Sequence, residues 1–186
     1  MQIVGVLLAA GFSRRYGANK LIQRLPDGSF VAVAAGRNLL AALPDSIAVV
    51  RPDVPELATA LQAAGLRVVI CENAQLGMGA SLAEGIRAAI NAGGWVVALA
   101  DMPFILPASI RAVVQGIEAG YPLVATQFGG ERGHPVGFSS HYRAELSQLS
   151  GDEGARRILK RDPITFISST DPGVIRDIDT PGDLPQ

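Results

Sequence analysis

Short runs of hydrophobic residues recur along the first half of the chain, each bounded by small or polar residues. The first, Ile3 to Leu8, is nearly continuous, a pattern typical of a strand buried on both faces of a parallel sheet. Three further runs follow at Ile47 to Val50, Arg67 to Cys71 and Trp95 to Ala100. Segments between them, such as Glu56 to Ala64 and Ser81 to Ala92, have helical apolar spacing. This alternation predicts right-handed βαβ crossovers and a three-layer α/β sandwich.

The pattern continues after the fourth run and then becomes less regular. Pro107 can begin a helix that Gly120 ends, and Leu123 to Thr126 predicts a fifth strand. The remaining predicted elements are strands at His134 to Phe138 and Ile164 to Ser168, and helices at Tyr142 to Leu149 and Gly154 to Arg161. We therefore expect a single domain over residues 1–186, in which residues 127–186 form a subregion on the same sheet as residues 1–126.

Charge and cysteine content exclude several classes of protein. Sixteen Lys and Arg against seventeen Asp and Glu leave a net charge of -1, without the cationic surplus that nonspecific nucleic-acid binding needs. The single cysteine, Cys71, excludes an internal disulfide and is expected to be a small buried residue in a reducing compartment. The longest apolar run, Ile3 to Phe12, is shorter than the roughly 20 residues of a membrane span. We expect a cytoplasmic protein without nucleic-acid or membrane partners.

The segment that follows the first strand, Leu8 to Lys20, is suited to holding a polyphosphate. Backbone N–H groups at its Gly and Ala positions can approach oxygens closely, and Arg15 and Lys20 supply positive charge. The spacing from Gly11 to Gly17 fits neither a Walker A loop nor the dinucleotide-binding G-x-G-x-x-G pattern. An ordinary basic loop is the alternative interpretation.

Carboxylates follow the fourth run and recur near the C-terminus. Asp101 lies beside the first loop if the first and fourth strands are neighbours. Because Mg²⁺ prefers one or two carboxylates together with phosphate oxygens, Asp101 is a natural ligand. Asp177 and Asp179 form a second pair, of which strand-like alternation would point only one inward. Asp179 could instead cap the turn that starts at Pro181.

Three other segments offer weaker signals. Gly77 to Leu82 opens a helix whose first N–H groups attract anions. His134 either bonds the backbone at a turn or faces a substrate. A transition-metal site is disfavoured, because no Cys and no second His lie at a suitable spacing to share the metal. Asp152 is expected to be a helix N-cap, which leaves Arg156 available to an anion.

Six short motifs occur in a fixed order over nearly the whole chain. They are Leu8-Ala9-Ala10-Gly11-x-Ser13-x-Arg15-x-Gly17 ending at Lys20, Gly77-Met78 with Ser81-Leu82, Leu99-Ala100-Asp101-Met102-Pro103, Gly133-His134-Pro135, Gly151-Asp152-x-Gly154-Ala155-Arg156, and Asp177-Ile178-Asp179-Thr180-Pro181. Together they resemble the molybdenum cofactor cytidylyltransferases, nucleotidyltransferases whose relatives include the molybdenum cofactor guanylyltransferases. The resemblance implies a Rossmann-like, mostly parallel sheet of the nucleotide-diphospho-sugar transferase type.

The resemblance also implies an activity and a site. The expected enzyme transfers CMP from CTP to the phosphate of molybdopterin and releases pyrophosphate, with Mg²⁺ as cofactor and a molybdoenzyme or its chaperone as a further partner. Arg15 and Lys20 would stabilise the attacked α-phosphate, while Asp101 and Asp179 would hold Mg²⁺. The first loop would hold the triphosphate through Leu8, Ala9, Ala10, Gly11 and Ser13. The base and ribose would contact Gly77, Met78 and Ser81. His134 and Arg156 are further candidate substrate contacts. Residues 1–126 would bind the nucleotide and residues 127–186 the acceptor.

The resemblance leaves base and acceptor choice open. The guanylyl branch has glycine where Ala10 stands, and the methyl group at this position would narrow the base pocket toward a pyrimidine. The alternatives are guanylyl transfer from GTP, cytidylyl transfer to a sugar or polyol phosphate, and a non-catalytic nucleotide-binding module that delivers the cofactor. A dehydrogenase is disfavoured because the glycine spacing of the first loop is wrong for it.

Overall fold

A single seven-stranded sheet forms the centre of the protein in the computed structural model, which describes residues 1–13 and 16–185. Its strands are β1 (Ile3–Ala9), β2 (Ser46–Val50), β3 (Arg67–Ile70), β4 (Gly94–Leu99), β5 (Leu123–Phe128), β6 (Glu131–Ser139) and β7 (Thr165–Ser168). The strand order is β3-β2-β1-β4-β6-β5-β7. Only β6 runs antiparallel to its neighbours within the described sheet. The predicted mostly parallel sheet is confirmed, and β7 joins it as expected.

Six α-helices cover the two faces of the described sheet. They are α1 (Val31–Ala42), α2 (Pro55–Ala63), α3 (Met78–Ala88), α4 (Pro107–Glu118), α5 (Arg143–Leu146) and α6 (Arg156–Arg161). One core contains side chains of α1, α2 and α4, including Leu39 and Leu61, and the other contains side chains of α3, α5 and α6, including Ile86 and Ile158. The three-layer α/β/α sandwich is therefore confirmed. No helix within the described residues is long and apolar enough to cross a membrane.

The central strands are apolar because both of their faces are covered by helices. Val6 of β1 belongs to the core beneath α3, and its neighbour Leu7 belongs to the core beneath α1; both are fully buried. Cys71 lies directly after β3 and is also buried, which confirms the prediction of a small buried residue. Continuous hydrophobic runs therefore mark the middle of this sheet.

Strands β1 and β4 are parallel neighbours, with Leu8 paired to Leu99. The strand order reverses at this position, since the chain extends from β1 outward through β2 and β3 and then returns to the other side of β1 to form β4. Crevices at the carboxyl ends of strands at such a reversal are the usual ligand sites of open α/β sheets. The loops after β1 and β4 are therefore placed together.

The segment that follows β7 is held against the chain that follows β4. Asp171 is buried, and its carboxylate accepts hydrogen bonds from the N–H groups of Leu106 and Gly173 and from the hydroxyl of Ser109, each at 2.8 Å. Further along, the Ile178 N–H donates to the Asp101 carbonyl at 2.9 Å. These bonds bring the C-terminal acidic residues to the end of β4.

We expect Asp171→Asn to lower the free energy of unfolding by about 2 kcal/mol. An amide offers one acceptor oxygen where the carboxylate offers two, so a buried N–H that now bonds Asp171 loses its partner. Urea denaturation of the purified variant measures this cost. Asp27→Asn is the matched control, because Asp27 is also a hydrogen-bonded carboxylate, accepting two hydrogen bonds from Ser29, but it is exposed. A similar loss of unfolding free energy in both variants would contradict the conclusion that the buried hydrogen bonds of Asp171 stabilise the fold.

Candidate active site

A cleft of ≈ 470 Å³ opens at the carboxyl ends of β1 and β4. It falls within the range of about 300 to 1,000 Å³ that is usual for small-molecule sites. Ten residues predicted for the site line it: Leu8, Ala10, Gly11, Ser13, Lys20, Gly77, Met78, Ser81, Asp101 and Asp179. The structure thus brings together the first loop, the start of α3, the end of β4 and the C-terminal segment.

Three predicted site residues do not line this cleft, and a fourth lies outside the described residues. Ala9 is buried in β1, and Arg156 is exposed at the start of α6. His134 is on β6, the strand next to β4. Arg15 lies outside the described residues, so its predicted role beside Lys20 stays a prediction.

Lys20 is held firmly at the end of the first loop. Its backbone N–H donates to the Ser13 hydroxyl at 3.2 Å. Lys20 also begins a short 3₁₀ turn, which the side chain of Asn19 caps by accepting from the Leu21 N–H at 3.1 Å. The side chain of Leu21 is buried in the core. These contacts fix the point from which the lysine side chain extends into the cleft.

The ammonium group of Lys20 bridges two carboxylates. Its Nζ lies 2.7 Å from Asp101 Oδ2 and 3.0 Å from Asp179 Oδ1. All three side chains are mostly shielded from solvent, with exposed fractions of 12%, 21% and 26% for Lys20, Asp101 and Asp179. Burial lowers the pKa of Lys20, but the hydrogen bonds and charges of both carboxylates outweigh it and raise the pKa above its ordinary value. Lys20 is therefore a permanent cation in the cleft.

A third carboxylate, that of Asp177, joins the other two. Oxygens of Asp101, Asp177 and Asp179 all lie within 4.8 Å of one another. Burial and the charges of its two acidic neighbours raise the pKa of Asp177. The expectation that only one of Asp177 and Asp179 would point inward is wrong, because residues two apart in an extended segment lie on the same side: both aspartates line the cleft, and Ile178 between them is buried.

These three carboxylates fit a divalent metal ion. Hard cations such as Mg²⁺ and Mn²⁺ take oxygen ligands, and the clustered oxygens can converge on one ion. The alternative assignment of Asp179 as the cap of the next turn does not hold. Thr180 is the N-cap of this turn, and Asp183 within the turn completes a capping box, since its Oδ2 accepts from the N–H of Thr180 at 2.7 Å and also from the N–H of Asp179 at 3.1 Å.

The wall opposite the first loop is built from two distant segments in close contact. The N–H of Gly79 donates to the carbonyl of Gly151 at 2.8 Å. A Cβ added at Gly77 would lie 2.5 Å from the Gly151 carbonyl oxygen, and Gly77 has a left-handed φ of +103°. Only glycine permits this conformation and this close approach without strain. Residues 150–152 are thereby placed against the first turn of α3.

Asp152 reaches the cleft through this contact. The prediction that it caps a helix is wrong: α6 begins at Arg156 with Ala155 at its N-cap position, and Asp152 lines the cleft instead. Sequence reasoning also missed Phe12, Tyr16 and Gln75, which lie within or beside the segments singled out as candidate binding loops. Proximity to those motifs was the available signal for them.

His134 has an unusual environment for a histidine. Its Nδ1 is buried and has no hydrogen-bond partner among the described residues, while its own carbonyl accepts from the Thr126 hydroxyl at 2.8 Å. Burial lowers its pKa from 6.5 to about 4; the charge of Asp101 opposes this shift, and the charge of Arg132 adds to it. The imidazole is therefore neutral at neutral pH. The interpretation of His134 as bonding the backbone at a turn is wrong, because the residue lies within β6 and its imidazole makes no hydrogen bond to the backbone of the described residues. The unpaired Nδ1 agrees with the substrate-facing interpretation.

Distant solved structures share the nucleotide-diphospho-sugar transferase fold of this sheet. The family model that matches the chain places it in the nucleotidyltransferase class, with a lysine and clustered carboxylates at the strand-order reversal. The chain belongs to the family of the MobA-like NTP transferase domain, which matches residues 5–165. The predicted relationship to the molybdenum cofactor nucleotidyltransferases is thereby confirmed.

Two relatives span nearly the whole chain. The purine catabolism protein PucB of Bacillus subtilis (strain 168) is 32% identical over 192 residues, covering 96% of this chain and 92% of PucB. The nicotine blue oxidoreductase of Paenarthrobacter nicotinovorans is 27% identical over 188 residues, with the same two coverages. Relatives of similar length therefore carry names from different areas of metabolism.

A solved structure of a relative contains a divalent metal. The Rv0371c complex with manganese from Mycobacterium tuberculosis H37Rv has a TM-score of 0.80 and 28% identity, and the match covers 98% of this chain and 96% of Rv0371c. Manganese in a protein of the same fold agrees with the carboxylate cluster found here.

We expect Asp101→Asn and Asp179→Asn each to weaken Mn²⁺ binding about tenfold or more, because each removes a charged oxygen ligand while keeping the side-chain shape. Isothermal titration with MnCl₂ measures the affinity, and circular dichroism checks the fold. Glu118→Gln, at the exposed end of α4, is the control with the same loss of charge. Unchanged Mn²⁺ affinity in both aspartate variants would exclude these residues as ligands.

We expect His134 to make the folded protein less stable as the pH falls from about 6.5 to about 4. In this interval the unfolded chain binds a proton at His134 and the folded chain does not, a loss of roughly 3 kcal/mol at most. Urea denaturation at several pH values should show a shallower decline for His134→Gln than for the wild type. His141→Gln, which changes an exposed histidine, serves as the control. Parallel curves for all three proteins would contradict this effect.

Proposed function

We propose that the protein is a Mg²⁺-dependent cytidylyltransferase that transfers CMP from CTP to the phosphate of the molybdenum-loaded molybdopterin cofactor. The observation that carries the proposal is the bridge of Lys20 to Asp101 and Asp179 inside the cleft. It places a cation beside carboxylates that fit a divalent ion, at the carboxyl ends of β1 and β4. Phosphoryl transfer needs this combination, since its catalysis depends mainly on position and charge.

The residues of the first loop would hold the triphosphate. Gly11 and Ser13 line the cleft between the end of β1 and Lys20, so the α-phosphate can approach the ammonium group. Asp101, Asp177 and Asp179 would hold the metal ion, which when bound neutralises phosphate oxygens and orients the α-phosphate. Lys20 would then stabilise the charge on the transferred phosphoryl group, with Arg15 as a second cation.

The acceptor would attack from the side of β6 and α6, which belong to residues 127–186. An oxygen of the acceptor phosphate forms a bond to the α-phosphorus in line with the departing oxygen, and the bond to the β-phosphate breaks to release pyrophosphate. His134 and Arg156 are the proposed contacts for this acceptor. His134 is on β6, which pairs with β4, the strand that ends beside Asp101.

The base would lie between the first loop and the start of α3. Ala10 is buried at the floor of the cleft, and Gly77, Met78 and Ser81 line the facing wall. The methyl group of Ala10 would favour the smaller pyrimidine ring over guanine.

The direct test is pyrophosphate release from each of the four ribonucleoside triphosphates with Mg²⁺ and molybdenum-loaded molybdopterin. CTP should be the preferred donor, and the product should be the cytosine dinucleotide of the cofactor, identified by mass spectrometry. Preference for GTP would show guanylyl transfer, and turnover only with a sugar or polyol phosphate would show a different acceptor. CTP binding without turnover on any acceptor would indicate a delivery module. Each of these results would contradict the proposal.

We expect Lys20→Ala to lower kcat more than tenfold and at the same time to strengthen Mn²⁺ binding. The first effect follows from the loss of a charge that stabilises the transferred phosphoryl, about 3 kcal/mol for one preorganised donor. The second follows because the ammonium group now occupies the carboxylate oxygens that a metal ion would use. Steady-state kinetics and titration with MnCl₂ measure the two effects.

Lys160→Ala is the matched control, because Lys160 is an exposed lysine on α6 outside the cleft. Unaltered turnover in Lys20→Ala would exclude its catalytic role. Weaker Mn²⁺ binding in that variant would show that the ammonium group supports the metal ligands and does not compete for them.

A further inference from the structure

One carboxylate in the cleft stands apart from the three that cluster around Lys20. Asp152 lines the cleft at the start of α3 and is not part of the carboxylate cluster. Within residues 1–13 and 16–185 it makes no ion pair or hydrogen bond. An acidic side chain that faces a binding cleft without a protein partner is available to a ligand that donates hydrogen bonds.

The backbone holds Asp152 in this position. The hydrogen bond from Gly79 N–H to the Gly151 carbonyl, at 2.8 Å, fastens the preceding residue to the first turn of α3. Asp152 Oδ1 lies 2.5 Å from the place where a Cβ on Gly77 would be, so the carboxylate rests directly on the glycine backbone. Gly154 follows in a left-handed conformation, and the Met78 side chain packs against it. The carboxylate is therefore presented by a fixed loop.

Electrostatics decide which part of a nucleotide meets this carboxylate. A triphosphate would be repelled by Asp152 and attracted by Lys20 and a metal ion at the other end of the cleft. The nucleoside would therefore lie at the α3 end of the cleft, where its N–H and O–H groups can donate to the Asp152 carboxylate. Cytosine offers an exocyclic amino group, N4, on the edge opposite its sugar, whereas uracil has the O4 carbonyl oxygen there.

We propose that Asp152 accepts a hydrogen bond from the N4 amino group of cytosine and so selects CTP over UTP. This inference rests on the proposed function, which places the base beside α3. The same carboxylate would face the O4 oxygen of UTP, and two acceptors that face each other repel. Asp152 thus distinguishes CTP from UTP, because only cytosine presents a hydrogen-bond donor to it. Ala10 distinguishes pyrimidines from the larger purines.

The test compares nucleotide binding by the wild type and Asp152→Asn. Isothermal titration with CTP and UTP in the presence of Mn²⁺, without an acceptor, measures binding separately from turnover. We expect the wild type to bind CTP at least tenfold more tightly than UTP. In Asp152→Asn that ratio should fall about tenfold or more, because the amide NH₂ can donate to O4 of uracil. Glu153→Gln is the matched control, since Glu153 is the adjacent carboxylate, is exposed and pairs with Arg157 outside the cleft.

Three results would overturn the inference. A wild type that prefers CTP, together with an Asp152→Asn variant that keeps the same preference, contradicts the role of Asp152 and leaves the proposed function intact. Equal losses of CTP and UTP affinity in the variant, absent with dCTP and dUTP, would assign Asp152 to the ribose 2′-hydroxyl. A wild type that binds GTP more tightly than CTP contradicts the proposed cytidylyl transfer, whatever the variant does.

Discussion

The counter-charge that Lys20 supplies to its acidic neighbours is the interaction on which the cleft depends. Three carboxylates with oxygens within 4.8 Å of one another repel strongly, and partial burial increases that repulsion. The ammonium group contacts Asp101 and Asp179 directly and offsets part of this cost. The loop that carries it is fixed by Ser13 and Asn19, so the compensating charge is present before any ligand binds.

The acidic groups meet because the end of the chain returns to the middle of the sheet. Asp101 lies just past β4, whereas Asp177 and Asp179 belong to a segment that follows β7, the strand at one edge of the described sheet. The hydrogen bond from Ile178 to Asp101 and the buried carboxylate of Asp171 hold that segment in place. Ile178 is fully buried, so the acidic residues on either side of it are directed to the cleft. The site thus needs the sheet to be complete.

Much of the fold could be predicted from the sequence because its strands are buried on both faces. All seven predicted strands are present, and β1 and β4 are neighbours as the candidate metal ligand required. The helix α1 was not predicted. Its sequence is rich in Ala and Val, contains Gly36, and starts after Phe30, which provides no side-chain cap. Valine and glycine weaken the helical signal, and the packing of α1 on the sheet outweighs that weakness.

The parts of the site that could not be predicted depend on irregular backbone. The expectation that one of Asp177 and Asp179 faces outward was wrong because residues two apart share a side of an extended segment, and here both face the cleft opposite the buried Ile178, although no regular strand forms there. Asp152 has the sequence context of a helix cap, and its position in the cleft follows from the contact of residues 150–152 with Gly77 and Gly79. Such contacts join residues that are far apart in sequence, so they cannot be predicted from the pattern of neighbouring residues.

The backbone contact between α3 and residues 150–151 also limits how this protein can evolve. A Cβ at Gly79 would lie 2.6 Å from the Ser150 carbonyl oxygen, and one at Gly77 would lie 2.5 Å from the Gly151 carbonyl oxygen. Substitution at either position would push the start of α3 and residues 150–151 apart, and would not simply reshape this wall of the cleft. On this side of the cleft, a descendant of the protein can acquire a new ligand preference by exchanging the polar atoms that face the ligand, but not by gradual changes in width.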